Sequence, residues 1–177
     1  NKIIKPTLQG LSDIGTNYKG FLYAGLMIVE NEPYLIEYNV RMGDPECQTI
    51  LPKLSSDLTE ILYACCEKKL DQIEIDWIDK KSLCVVLCSN GYPDEYEKNV
   101  KINNLENIIL DENNFLFHAG TKEKDNETYA IGGRVLNFIS LSDGFLKARN
   151  NIHLNLQKLN WNNGFYRKDI GFNVIDQ

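Results

Sequence analysis

Two apolar runs on either side of a short polar turn constrain the fold of this chain more than any other feature. Residues 21–29 are mostly apolar, residues 30–33 carry turn-forming side chains, and residues 34–41 form a second strand-like run. Such a pair of runs predicts an antiparallel hairpin. We expect the second strand to stop before Pro45, because Gly-Asp-Pro is typical of a turn and the residue before a proline avoids helical geometry.

A helix is predicted after this hairpin, from Asp57 to about Lys69. Ser55, Ser56 and Asp57 can cap a helix N-terminus. Acidic side chains there also lie near the positive end of the helix dipole. The apolar residues that recur at helical spacing, and should form one buried face, are Leu58, Ile61, Leu62 and Cys65.

The second half of the chain alternates between apolar runs and turns. Residues 83–88 predict a buried strand, and Ser142 with Asp143 should cap a last helix. Shorter strand-like runs occur at residues 107–110, 115–118 and 134–139. A change of composition after Leu70 places a domain boundary between residues 78 and 79. The mixture of hairpin, helices and strands predicts the α+β class.

The charge balance excludes one broad class of function. The chain has 19 Lys and Arg against 25 Asp and Glu, a formal charge of −6, whereas proteins that hold nucleic acid by bulk electrostatics need a basic face. A phosphate-bearing small molecule is compatible with this charge, because one arginine, metal ion or helix N-terminus can hold it. We therefore expect small-molecule substrates and no nucleic acid.

The apolar runs and the cysteines predict a cytoplasmic protein with no membrane partner. No run approaches the roughly 18 apolar residues that a membrane span needs, and no secretory signal is visible. The five cysteines are odd in number and form no Cys-x-x-Cys pair, so we expect reduced thiols. The chain starts at Asn1 and not at Met, so we expect it to begin inside a longer gene product.

Three polar residues on the second strand could carry chemistry. Alternate side chains of a strand share a face, so Glu37, Asn39 and Arg41 should point the same way, with successive Cα atoms about 6.6 Å apart. A carboxylate and an amide oxygen can together ligate Mg²⁺, which leaves its other positions to water and substrate phosphates. Arg41 adds a planar cation for a phosphate or carboxylate. From spacing alone, a solvated polar face is the favoured interpretation of these residues, because such a pattern on a strand usually just faces water.

Eight stretches spread over almost the whole chain resemble one known family. They are residues 18–27, residues 36–46, the spaced residues from Gln48 to Leu58, and residues 84–87, 91–93, 117–122, 132–136 and 165–171. In their content and order they resemble the phosphoribosylamine–glycine ligase family of the ATP-grasp superfamily. The resemblance implies that residues 1–78 are the C-terminal part of an ATP-grasp domain and residues 79–177 a small α+β C-terminal domain.

The resemblance implies a ligase of de novo purine biosynthesis. Members of this family join glycine to 5-phosphoribosylamine while ATP is cleaved to ADP and phosphate. ATP first phosphorylates the glycine carboxylate, and the amine then displaces phosphate from the glycyl phosphate. Another ATP-grasp carboxylate–amine ligase, a carboxylase, or a non-catalytic fragment are the alternative functions.

The resemblance also implies roles for five residues. Glu37 and Asn39 would ligate Mg²⁺ or Mn²⁺, and Arg41 would act catalytically beside the transferred phosphate or a substrate anion. Met27 and Ile36 would contact the adenine of ATP.

Some residues near these motifs keep two interpretations. Asp44 and Glu46 either orient Arg41 or a substrate amine, or they build the turn around Pro45. Arg167 and Lys168 either close over a substrate or form surface or interdomain salt bridges. For the Gly132-Gly133 pair, we expect a backbone bend that glycine permits.

The family pattern also implies a missing partner. Family members have an N-terminal domain, a lid and most of the ATP pocket upstream of the position that matches Asn1. The N-terminal portion of the same protein is therefore the expected partner of this chain. We expect the 177 residues alone to be inactive.

Overall fold

The computed structural model describes residues 1–159 and 161–175, which form two compact units. The first unit holds residues 1–47 and 54–77, and the second holds residues 48–53 and the chain from Ile78 onward. Helices and antiparallel sheets occur together, so the predicted α+β class is confirmed. The domain boundary that the sequence predicts between residues 78 and 79 stays a prediction.

The first unit contains the predicted hairpin. Helix α1 (Ile4–Asp13) comes first, and strands β1 (Tyr23–Val29) and β2 (Glu32–Asn39) then pair antiparallel. The turn is shorter than predicted, because only Glu30 and Asn31 lie outside the strands, with φ of 49° and 66°. Two successive residues with positive φ match the twist of the flanking strands, and this allows pairing to continue to the turn.

The hairpin contains one irregularity. Gly25 pairs with Glu37 but Leu26 pairs with Leu35, so Ile36 is an extra residue in β2. Such a bulge bends the strand and interrupts the simple alternation of side chains.

The predicted helix is confirmed as α3 (Leu58–Glu67), which follows the short helix α2 (Glu46–Ile50). The Asp57 carboxylate accepts hydrogen bonds from the backbone N–H groups of Thr59 and Glu60, and these hold the pKa of Asp57 below its ordinary value. Lys68 ends the helix in a left-handed conformation.

The second unit is built on two antiparallel sheets and one long helix. Its strands in chain order are β3 (Lys81–Ser89), β4 (Val100–Ile102), β5 (Asn114–His118), β6 (Thr121–Lys124), β7 (Glu127–Ala130), β8 (Arg134–Ser142) and β9 (Gly164–Phe165). They form a four-stranded sheet in the order β5-β8-β3-β9 and a three-stranded sheet in the order β4-β7-β6. Helix α4 (Phe145–Lys158) packs against β3 and β8, and Phe138, Ala148 and Ile152 are almost fully buried there.

Two predictions for this unit are wrong, one about a strand and one about the start of a helix. Residues 107–110 form no strand, because the side chain of Asn155 binds both the N–H and the C=O of Ile109 and takes the place of a partner strand. Ser142 and Asp143 do not cap α4. Strand β8 continues through Ser142, which pairs with Lys81, and Gly144 is the N-cap residue.

The predicted bend is present at Gly132 and Gly133, and the two glycines also permit close packing. A Cβ on Gly133 would lie 2.1 Å from Cδ2 of Tyr92, and one on Gly132 would lie 2.8 Å from Cα of Gly120. Both distances are far inside van der Waals contact. The φ angles of the pair lie outside the left-handed region, so the missing side chain is what matters here.

No helix among the described residues is both long and apolar enough to cross a membrane.

Candidate functional site

The structure brings Glu37 and Asn39 together on one face of the hairpin. They lie opposite Gly25 and Tyr23 on β1, and the amide nitrogen of Asn39 donates a hydrogen bond to Oε1 of Glu37 at 3.0 Å. The predicted shared face is confirmed for these two residues. Their role as metal ligands stays a prediction.

Arg41 lies outside the strand, which corrects the prediction that β2 extends to this residue. Strand β2 ends at Asn39 because its partner strand begins at Tyr23 and offers no residue for further pairing. The Arg41 guanidinium is exposed and donates from Nη1 to the carbonyl oxygen of Met42 at 2.9 Å. Alternation along β2 therefore does not orient Arg41.

Gly25 leaves room for the Glu37 side chain. A Cβ at residue 25 would lie 3.0 Å from Cγ of Glu37, closer than nine in ten ordinary Cβ contacts. The glycine thus allows the carboxylate to lie over the neighbouring strand at the level of Asn39.

Tyr23 and Glu46 extend this cluster. The sequence pointed to Glu46 as a residue that orients Arg41 or builds the turn, but it did not point to Tyr23. The Tyr23 hydroxyl donates to Oε1 of Glu46 at 3.3 Å, so Glu46, the first residue of α2, contacts a strand residue. Gly43 permits this approach, because a Cβ there would lie 2.2 Å from Oε2 of Glu46. Tyr23 could have been found by pairing the hairpin, since it is the residue opposite Asn39.

The charged side chains around Tyr23 change its pKa. The carboxylate of Glu46 is the main cause that raises the pKa of Tyr23, and desolvation and the hydrogen bond from its hydroxyl add to the effect. Glu37 raises this pKa further, whereas the positive charge of Arg41 lowers it. Arg41 therefore contributes its charge to the same cluster, although it is not on the strand.

We expect Glu46→Gln to lower the pKa of Tyr23 towards its ordinary value, because the substitution removes the largest negative charge that opposes phenolate formation. The measurement is a pH titration of ¹³Cζ-labelled tyrosines by NMR, with Tyr23 assigned through Tyr23→Phe. Glu60→Gln in the first turn of α3 is the control and should leave this pKa unchanged. An unchanged pKa in Glu46→Gln would contradict the proximity of the two groups.

Met27 and Ile36 are both exposed, at 53% and 64%. Met27 pairs with Tyr34 and lies two residues beyond Gly25, so strand alternation puts it on the face that carries Glu37. Ile36 is the extra residue of the bulge and has no partner in the register, so the register does not place it on the face of Met27. Contact of either residue with adenine stays a prediction.

The oxygen atoms of Glu37 and Asn39 suit a small hard cation that takes its remaining ligands from water and substrate phosphates. The hydrogen bond between Asn39 and Glu37 uses the amide nitrogen, which leaves the amide oxygen and the second carboxylate oxygen for a metal ion. Within residues 1–159 and 161–175, no group of three or more His, Cys, Asp or Glu side chains could hold a metal by itself. A two-oxygen set suits Mg²⁺, which usually retains water and substrate phosphates.

The motif residues of the second unit have local partners. His118 Nδ1 is 2.9 Å from the hydroxyl of Thr121. Arg167 forms an exposed ion pair with Asp169, which agrees with the surface salt-bridge interpretation.

Comparisons with known proteins agree with the motifs. A model of the phosphoribosylglycinamide synthetase C domain matches residues 82–173, and a model of the ATP-grasp (A) domain of the same synthetase matches residues 1–47. The chain is 44% identical over 174 residues to phosphoribosylamine–glycine ligase of Agrobacterium fabrum, covering 98% of this chain and 41% of that protein. It is 43% identical over 169 residues to the same ligase of Caldanaerobacter subterraneus, and the match covers 96% of this chain and 40% of that protein.

A solved structure shares the fold. The crystal structure of phosphoribosylamine–glycine ligase from Thermotoga maritima matches with a TM-score of 0.71 and 33% identity, over 93% of this chain and 40% of that one. The chain thus spans about 40% of the length of the relatives that it matches. Because the C-domain match covers more than half of the sequence, the chain belongs to the phosphoribosylglycinamide synthetase family, also called the phosphoribosylamine–glycine ligase family.

Proposed function

We propose that the complete protein containing this chain joins glycine to 5-phosphoribosylamine and cleaves ATP to ADP and phosphate. The product is glycinamide ribonucleotide, and the reaction belongs to de novo purine biosynthesis. The observation that carries this proposal is the match to both the ATP-grasp and the C domain of one synthetase family. The relatives at 43% and 44% identity bear the name of this ligase.

The proposed reaction has two steps. A carboxylate oxygen of glycine attacks the γ-phosphorus of ATP, the bond from that phosphorus to ADP breaks, and glycyl phosphate forms. The amine of phosphoribosylamine then attacks the acyl carbon, the carbon–oxygen bond to phosphate breaks, and the nitrogen loses one proton. Such chemistry depends mainly on positioning and on neutralising phosphate charge.

Within this chain, Glu37 and Asn39 would hold the metal ion, Mg²⁺ or Mn²⁺. When bound, the ion would neutralise charge on the phosphates of ATP. The Asn39 amide donates to Glu37 and so fixes the two side chains relative to each other. Arg41 would supply a second positive charge to the same region, and the exposed Met27 and Ile36 would offer apolar contacts to adenine.

We propose that the N-terminal portion of the same protein completes the active site. The hairpin exposes apolar side chains on both of its faces, which an isolated two-stranded hairpin tolerates poorly in water. The exposed apolar residues of these strands are Leu26, Met27, Ile28, Val29, Tyr34, Leu35 and Ile36. The chain's net charge of −6 supports small-molecule substrates over nucleic acid. We also propose that the protein acts in the cytoplasm and has no membrane partner.

The test is ADP release measured with each substrate set. We expect the complete protein to sustain ADP release over many turnovers only when glycine and phosphoribosylamine are both present, and the 177-residue chain to release none. Bicarbonate in place of glycine is the control for a carboxylase. ADP release that depends on bicarbonate would contradict the ligase assignment, and glycine-dependent turnover by the 177-residue chain would contradict the need for the N-terminal portion.

A further inference from the structure

The ring of Tyr23 lies between two carboxylates of the candidate site. One edge of the ring faces Gly25, because a Cβ there would lie 3.7 Å from Cε1 of Tyr23 and 3.0 Å from Cγ of Glu37. The other edge faces Gly43, where a Cβ would lie 3.1 Å from Cε2 of the same ring. A single aromatic ring thus separates Glu37 on β2 from Glu46 on α2.

Two contacts hold the Glu46 carboxylate beside this ring. Its Oε1 accepts the hydrogen bond of the Tyr23 hydroxyl at 3.3 Å. Its Oε2 lies against the buried Gly43, only 2.2 Å from the place that a Cβ would take. The glycine permits the approach, and the hydroxyl of Tyr23 orients the carboxylate relative to the hairpin.

Glu46 can accept further hydrogen bonds. In the described part of the chain, the Tyr23 hydroxyl is the one group that donates to its side chain. An ionised carboxylate offers about four acceptor sites, so most of this capacity is unused. Tyr23 and Glu46 are both half-buried, which leaves them within reach of a small molecule.

The unused acceptors suit a cationic group that carries N–H donors. Arg41, the positively charged side chain of the cluster, donates from Nη1 to the carbonyl oxygen of Met42. The proposed reaction uses a substrate with a suitable group, because glycine carries an ammonium one carbon away from the carboxylate that is phosphorylated. A charge-assisted hydrogen bond from an ammonium to a carboxylate is stronger than one between neutral groups.

We propose that Glu46 binds the ammonium group of glycine and that Tyr23 is the positioning residue that holds Glu46 for this contact. The inference rests on the proposed ligase function. The glycine carboxylate would lie on the Glu37 side of the Tyr23 ring, where the proposed phosphoryl transfer takes place. So short a zwitterion can span one ring, because each hydrogen bond at its ends adds about 3 Å.

The test is the steady-state kinetics of the complete protein, with glycine varied at saturating ATP, Mg²⁺ and phosphoribosylamine. Glu46→Gln should raise the KM for glycine about 100-fold, because it removes the charge that pairs with the ammonium. Tyr23→Phe should raise this KM about 10-fold, because it removes only the orientation of the carboxylate. The KM for ATP should change little in either variant. Tyr63→Phe, which alters an exposed tyrosine on α3, is the control and should leave the KM for glycine unchanged.

Glycolate separates ammonium recognition from a general disturbance of the site. It has a hydroxyl in place of the ammonium of glycine, and it is measured as a competitive inhibitor against glycine. Its inhibition constant should be nearly the same for the unmodified protein and for Glu46→Gln. A loss of glycolate affinity that equals the loss for glycine would overturn the proposal.

A double variant shows whether Tyr23 acts through Glu46. In the Glu46→Gln background, Tyr23→Phe should add almost nothing to the KM for glycine, because no carboxylate is left to orient. Fully additive effects would contradict the positioning role. A raised KM for phosphoribosylamine with an unchanged KM for glycine would assign Glu46 to the other amine and would also overturn the proposal.

A failure of the ligase proposal gives a different result. If the unmodified complete protein released no ADP in response to glycine, the ligase proposal and this one would both be wrong. If the unmodified protein were active and both single variants kept its KM for glycine, only the roles of Tyr23 and Glu46 would be wrong.

Discussion

Glu37→Gln is expected to lower the glycine-dependent ADP release of the complete protein by at least about 100-fold. The substitution keeps the size of the side chain but removes the negative charge that would hold the metal ion. The variant should also need a higher Mg²⁺ concentration for half-maximal activity, since a neutral amide binds a hard cation more weakly. Initial rates measured over a series of Mg²⁺ concentrations check both expectations.

The control for this variant is Glu32→Gln on the same strand. Glu32 forms an exposed ion pair with Lys2 at the turn end of β2, and such pairs contribute little to stability. We expect this variant to keep the activity of the unmodified protein. If Glu37→Gln also kept its full rate and its Mg²⁺ dependence, the metal assignment would be wrong and a non-catalytic role for the pair would be favoured.

Gly120→Ala should destabilise the second unit by about 3 kcal/mol, because it overpacks a rigid contact between two backbone segments. A Cβ on Gly120 would lie 2.6 Å from Cα of Gly132 and 2.7 Å from the carbonyl oxygen of Arg134. Neither backbone atom can move freely, since the N–H of Gly120 donates to the Arg134 oxygen and the N–H of Gly132 donates to the Gly120 oxygen. Denaturant unfolding followed by tryptophan fluorescence, in a Trp77→Phe background so that only Trp161 reports, measures the change.

Gly144→Ala provides the matched comparison in the same unit. No atom lies within 4 Å of a Cβ built on Gly144, and its φ of −143° suits any residue. Its only expected cost is a weaker N-cap, below about 1 kcal/mol. Equal stability of the two variants would show that the close approach of Gly120 and Gly132 does not limit the fold.

The hairpin and the helix α3 could be predicted because their signals are local. A polar turn between two apolar runs predicts β1 and β2, and an aspartate before a helical apolar pattern predicts α3. The sheet of β4, β6 and β7 gave no such signal, because Thr121–Lys124 is polar and short. The turn at Asp125 and Asn126, with φ of 53° and 60°, was the one feature that could have indicated it.

The features of the candidate site likewise include some that local sequence patterns predict and some that only the tertiary structure decides. The sequence by itself determined the family, the hairpin and the pair formed by Glu37 and Asn39, since strand alternation acts over two residues and needs no distant partner. Only the tertiary structure decided that Arg41 lies beyond the strand, that Glu46 contacts Tyr23, and that Asn155 replaces a strand partner for Ile109. Each of these depends on a partner residue in another element, whose position local periodicity does not contain.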